Sequence, residues 1–154
     1  MYYNWIKIIH IMSAVVLFGI SLGSAGYLFF SKYVDGISNR IAILRQVAVV
    51  DWVFTAIAGI IQPITGFMLI DEKAYVLKPE WWLITLLGYG FAGACWFPAV
   101  YLRGQCESLL IADPVISSKF VRYFNGRLWL SVLAFLLLII VFYFMTNVAM
   151  FEIE

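Results

Sequence analysis

The chain has one histidine, His10. A neutral imidazole can ligate a haem iron or another metal, or carry a proton near neutral pH. Haem b held by this chain would need His10 alone, His10 with Met12, Met68 or Tyr89, or a His10 from each of two copies. The blander alternative is a hydrogen-bonded histidine near a membrane surface. Gln62 can supply a donor beside such a group, so His10 and Gln62 are the candidate cofactor-binding pair. Asp51 is a carboxylate within an apolar run, best placed to meet Arg45, Arg103, Arg122 or Arg127 as an ion pair, with a proton relay as the alternative. Other chemistry lacks its pattern. Cys95 and Cys106 lie 11 residues apart, and no Cys–His spacing suits zinc. There is no G-x-S-x-G elbow, phosphate loop or pair of carboxylates inside the apolar runs.

These residues sit in an unusual chain. Of its 154 residues 64% are hydrophobic and 12% charged, against averages of roughly 45–50% and about 25% in soluble domains. A soluble globular fold is excluded. Intrinsic disorder is excluded too, because apolar content is high and the net charge is only +1. The near balance of Lys and Arg (10) with Asp and Glu (9) argues against nucleic-acid binding. Two cysteines are too few for a disulfide framework.

Apolar runs at 8–30, 47–70, 81–102 and 128–150 each reach the length of about 20 residues that spans a bilayer as a helix. Barrel strands would be about half as long and would alternate in polarity. The first run exceeds a signal-peptide core of roughly 7–15 residues, and Tyr27, Phe29 and Phe30 follow its small residues, so it reads as a retained helix. The expectation is an all-α membrane protein. It forms one four-helix transmembrane bundle over 1–154, with helices at about 5–30, 47–70, 81–102 and 127–149.

Basic residues set the orientation. The first connection carries Lys32, Arg40 and Arg45, and the third and its edges carry Arg103, Lys119, Arg122 and Arg127. The second mixes Lys73 and Lys78 with Asp71, Glu72 and Glu80; the ends offer Lys7, Glu152 and Glu154. Both termini and the second connection are therefore expected outside (N-out, C-out). Tyr2, Tyr3, Trp5, Trp81 and Trp82 then anchor the outer edge, and Tyr101, Tyr123, Phe124 and Trp129 the inner edge. The third connection, 104–126, reads as a short interfacial helix broken at Pro114 or as an irregular loop.

Spacing assigns faces. His10, Ser13, Leu17, Ser21 and Ser24 form one stripe of the first helix; Gly19, Gly23 and Gly26 form another, nearly opposite. The glycines allow close packing on a neighbouring helix or a second copy. On the second helix Asp51, Thr55, Gly59, Gln62 and Gly66 share a face that should point inward. Pro63 opens the backbone ladder there, which predicts a kink and a freed carbonyl for Gln62 or Thr65 to serve. Gln62 lies about 16 Å along the helix from Asp51, at 1.5 Å per residue, so His10 and Gln62 share an outer pocket while Asp51 lies near the inner surface. The third helix carries Thr85, Tyr89 and Gly93 on overlapping faces. The fourth is a packing and lipid-facing helix.

The segments IIHIMSAVVLFGISLGSAG, VVDWVFTAIAGIIQPITGFML, GACWFPAVYLR and GRLWLSVLAF, in this order and spacing, resemble DUF2269, an uncharacterised bacterial family of predicted integral membrane proteins. The resemblance covers essentially the whole chain. It implies four membrane helices and an inner-membrane location, and no activity. More distantly, the first-helix histidine and the Pro-x-x-Gly segment Pro63 to Gly66 resemble the bacterial membrane protoporphyrinogen oxidase, a small haem-binding four-helix protein, and the copper-resistance D domain. His10 matches the oxidase's first-helix histidine. The chain departs from it after Trp82, where Leu83, Ile84 and Thr85 stand in place of a histidine and lysine.

Three functions follow as expectations. One is a b-type haem-binding or redox-accessory protein, with His10 as axial ligand and Gln62 as a donor nearby. Another is a non-enzymatic scaffold or complex subunit that packs on a partner, or on a second copy as a homodimer, through Gly19, Gly23 and Gly26. The third is a small transporter component using Asp51 and Gln62. In each, the lipid bilayer is a partner.

Overall fold

In hydrocarbon every backbone N–H and C=O must find its partner within the protein, so long apolar runs resolve into helices. The computed structural model describes residues 2–73 and 79–147. Helix α1 (Tyr2–Phe30) ends in a 3-10 turn (Ser31–Tyr33), where the Ser31 hydroxyl donates to the Leu28 carbonyl at 2.6 Å. Gly36, at φ 86°, turns the chain in a conformation that L side chains rarely adopt. Helix α2 (Ile37–Val50) then passes through a π-helical turn (Asp51–Thr55) into α3 (Ala56–Lys73). Helices α4 (Pro79–Ala112) and α5 (Ser118–Thr146) complete the chain. The Ser117 hydroxyl caps α5 by accepting from the Phe120 N–H at 3.2 Å.

Four stretches are long and apolar enough to cross a membrane: Tyr2–Tyr33, Ile37–Asp71, Glu80–Ala112 and Ser118–Thr146. The chain is thus an all-α membrane protein with four spans, as the apolar runs predict. The helices outrun those runs at one end. The second span starts near 37 rather than 47, the third continues to 112 rather than 102, and the fourth starts at 118 rather than 127. Neither alternative for 104–126, a short interfacial helix or an irregular loop, is found: 104–112 extends α4, 118–126 opens α5, and only 113–117 connects them. Lys78, Glu152 and Glu154, used in the charge count, lie outside the described residues.

Those extensions supply most of a buried apolar cluster. Leu28, Ile43, Leu44, Val47, Cys106, Leu110, Phe120 and Phe124 form one buried cluster at the end that also carries Lys32, Arg40, Arg103, Lys119 and Arg122. This is the basic end. The opposite end, where α1 starts and α5 finishes, carries His10.

Pairing of the helices explains why the two ends differ. Helix α4 lies against α5, so closely that a Cβ on Gly88 would stand 2.7 Å from Val141 Cγ2. Helix α1 packs on α3 and α5, and α2 packs on α4. The backbones of α3 and α4 hardly approach each other. Side chains bridge their gap instead: the Tyr89 hydroxyl reaches Gly59 and Phe67 stacks on Trp82 at 5.5 Å, while Trp52 of the π-helical turn meets Trp96 edge to face at 5.0 Å between centroids. Helices joined at the basic end thus separate towards the His10 end, and the separation leaves a cavity.

Candidate functional site: a membrane cavity beside His10

The inward faces read from spacing meet in two polar layers. At the basic end, Asp51 pairs with Arg127 at 2.8 Å, both side chains being almost fully buried. Ser24 donates to the other Asp51 oxygen at 3.0 Å. Ser131, one turn along α5 from Arg127, bonds to its guanidinium and donates to its carbonyl. Of the four arginines weighed for Asp51, Arg127 is the one in contact. Arg45 pairs with Glu107 at 2.8 Å, and Arg103 reaches Glu107 at 3.5 Å and the Leu44 carbonyl at 3.3 Å. Asp51 also opens the π-helical turn, a feature that periodicity at 3.6 residues cannot reveal.

Towards the other end, His10 is bound on both ring nitrogens. Nδ1 lies 2.8 Å from Thr65 Oγ1 and Nε2 lies 3.0 Å from Gln62 Nε2. One protonation satisfies these contacts. The Thr65 hydroxyl donates its proton to the Ile61 carbonyl at 2.8 Å, so it accepts from Nδ1–H. The Gln62 amide donates to the Nε2 lone pair. The Ser13 hydroxyl contacts Gln62 Oε1 and lies 2.9 Å from the His10 carbonyl. Gly66 lies against the imidazole; a Cβ there would stand 3.2 Å from His10 Cε1. His10, Ser13, Gln62 and Thr65 are thus brought together.

The carbonyl freed by Pro63 belongs to Gly59, four residues earlier. Neither Gln62 nor Thr65 serves it, contrary to the expectation from sequence. The Tyr89 hydroxyl of α4 donates to it at 2.7 Å. Spacing placed Tyr89 with Thr85 and Gly93 on overlapping faces but carried no signal for this cross-helix bond.

Above Tyr89 the cavity opens, with a volume of about 890 Å³. Its walls are Lys7, His10, Phe18 and Gly19 on α1, Gln62 and Phe67 on α3, Trp82 and Thr85 on α4, and Phe135, Phe142 and Met145 on α5. Phe18 closes one side by edge contacts with Phe135 and Phe142 at 5.8 and 5.6 Å. The surface is almost wholly apolar, with a few polar groups converging on it. Thr85 lies in the wall with its hydroxyl closed off from the surface. It is 5% exposed, and its hydroxyl is buried with no hydrogen-bond partner among the described residues.

The remaining sequence candidates lie elsewhere. Met12 is 55% exposed and does not line the cavity, and neither does Met68. At Gly19, Gly23 and Gly26 an added Cβ would meet nothing within 4 Å among the described residues. Gly19 faces the cavity, and Gly23 and Gly26 make no close contact with another helix among the described residues. Among the described residues no three His, Cys, Asp or Glu side chains gather as a metal site.

Comparison with known proteins gives a family. The family described as "Predicted integral membrane protein (DUF2269)" matches residues 4–148, and the chain belongs to it. No curated protein and no solved structure matches the chain.

Proposed function

We propose that this member of the DUF2269 family holds a lipid-soluble small molecule between its helices, in the cavity beside His10. The molecule is elongated and mostly apolar, with a hydrogen-bonding oxygen at its head. A large apolar cleft with a few converging polar groups is the common form of a small-molecule site. The observation that carries this reading is the Thr85 hydroxyl, buried in the cavity wall with no partner. An unmade hydrogen bond of this kind costs about 1–3 kcal/mol, and a ligand oxygen would remove that cost once the side chain turned its enclosed hydroxyl to the cavity. Lys7 and the Gln62 amide add donors on the facing walls. If basic residues face the cytoplasm, the site opens towards the outer leaflet.

The test is solvent extraction and mass spectrometry of the protein purified in mild detergent, beside Thr85→Val, which keeps the shape and removes the hydroxyl. The expected result is one apolar species, near one per chain, that falls about three- to tenfold in the variant, as a net ~0.5–1.5 kcal/mol per neutral hydrogen bond implies. Equal loading of both proteins, or no bound species, would overturn the reading.

Haem b is the other occupant of suitable size, and the residues as arranged fit it poorly. An axial ligand needs a free lone pair, and the Nε2 lone pair of His10 is engaged by Gln62. Tyr89 is engaged with Gly59. An absorption spectrum of the same preparation, oxidised and then reduced, separates the two occupants. A Soret band and a reduced α-band that vanish in His10→Ala would replace the lipid-soluble molecule with haem.

A further inference from the structure

We infer that a second, smaller pocket at the basic end seats the phosphodiester headgroup of an anionic phospholipid. The pocket has a volume of about 190 Å³ and lies between the 3-10 turn, α2 and the first turns of α5. Two cations line it, Lys32 and Arg40, over an apolar floor that includes Leu44, Phe120 and Phe124.

Both cations are held in place from behind. Arg40 uses one edge of its guanidinium: Nε donates to the Val34 carbonyl at 3.2 Å and Nη2 to the Lys32 carbonyl at 3.0 Å. Its Nη1 has no protein partner among the described residues. The Lys32 ammonium lies over the Phe29 and Phe124 rings at 5.3 and 5.4 Å and reaches Asn125 Oδ1 at 3.4 Å. A guanidinium with a free donor edge suits a phosphate oxygen, and a nearby ammonium adds a point charge.

Among the described residues Lys32, Arg40, Lys119 and Arg122 have no carboxylate oxygen within 4 Å, whereas Arg45, Arg103 and Arg127 are all paired. Position selects a lipid over a soluble phosphate ester. Lys32 lies two residues beyond Phe30, and Phe29 and Phe30 present exposed rings at the close of the α1 span. A headgroup at Lys32 therefore has apolar helix surface beneath it for its acyl chains. Basic pockets between membrane helices recognise acidic lipids by this combination.

The experiment is native mass spectrometry of the delipidated full chain, with phosphatidylglycerol or phosphatidylcholine added back. The variants are Lys32→Met, Lys32→Arg and Arg122→Gln, the last being a cation outside the pocket. The expected preference for phosphatidylglycerol falls about fivefold in Lys32→Met, the scale for one basic residue at a membrane surface. It persists in Lys32→Arg and in Arg122→Gln. Equal retention of the two lipids overturns the proposal, as does an equal loss in Arg122→Gln, which would signify diffuse attraction. Displacement of the lipid by millimolar glycerol phosphate would assign the pocket to a soluble phosphate ester instead. Lys32→Arg keeps the test decisive if Lys32→Met does not fold.

Discussion

Tyr89 gives its hydroxyl proton to the carbonyl of Gly59 at 2.7 Å, the one carbonyl that Pro63 leaves without its usual donor. The bond joins α4 to α3 where their backbones stay apart, and it forms the floor of the cavity beside His10. Tyr89→Phe is expected to lower stability by about 0.6–2 kcal/mol, the range for hydrogen bonds between membrane helices. Pro63→Ala restores an N–H four residues from Gly59. In that background Tyr89→Phe should cost much less. Denaturation of the four proteins in mixed micelles gives the coupling, and a cost independent of residue 63 would break the assignment.

The buried pair of Asp51 and Arg127 makes a different prediction. Their side chains are 4% and 6% exposed, so removing one leaves a buried charge with a serine hydroxyl beside it and no counter-charge in contact. Asp51→Leu or Arg127→Leu alone is expected to cost about 3–5 kcal/mol, and the double variant much less, since apolar replacements of a whole buried pair are often neutral. The same micelle denaturation checks it. An additive double variant would mean that the two charges do not depend on each other.

Two sets of glycines separate packing within the chain from packing between chains. Gly88 faces Val141 so closely that its Cβ would stand at 2.7 Å. Gly88→Ala is expected to cost about 1–3 kcal/mol, as overpacking does, and Val141→Ala should restore most of it. Gly23→Leu meets open space in the single chain and should leave monomer stability unchanged. If the α1 face binds a partner or a second copy, Gly23→Leu shifts the size of the native complex on a column while the unfolding midpoint of the dissociated chain stays put. An unchanged size would remove the scaffold reading.

These positions also show which parts of the structure a sequence can display. The apolar runs reveal the spans because composition is what the bilayer selects. They miss 37–46 and 103–112, since those helical stretches carry Asn39, Arg40, Arg45, Arg103 and Glu107 and leave the hydrocarbon. Depth arithmetic along two helices brings Gln62 beside His10, because rise per residue is nearly constant. It cannot say that Tyr89 serves Gly59, that the turn at Asp51 is π-helical, or that α3 and α4 part. Those depend on how helices lean on one another, and one helix's periodicity holds no record of its neighbours.

The cavity itself yields the last prediction, which turns on the sign of a stability change. Thr85 presents a buried hydroxyl with no partner, and burying an unpaired hydroxyl is unfavourable. Thr85→Val removes that group at nearly constant shape, so the ligand-free protein should become more stable, by about 1–3 kcal/mol. Gln62→Ala should do the reverse. It strips the half-buried His10 Nε2 of its partner and leaves Ser13 with only the His10 carbonyl. Thermal unfolding after exhaustive delipidation reads both. Destabilisation by Thr85→Val would show that the hydroxyl already has a partner within the protein, and the site would lose the group on which ligand recognition rests.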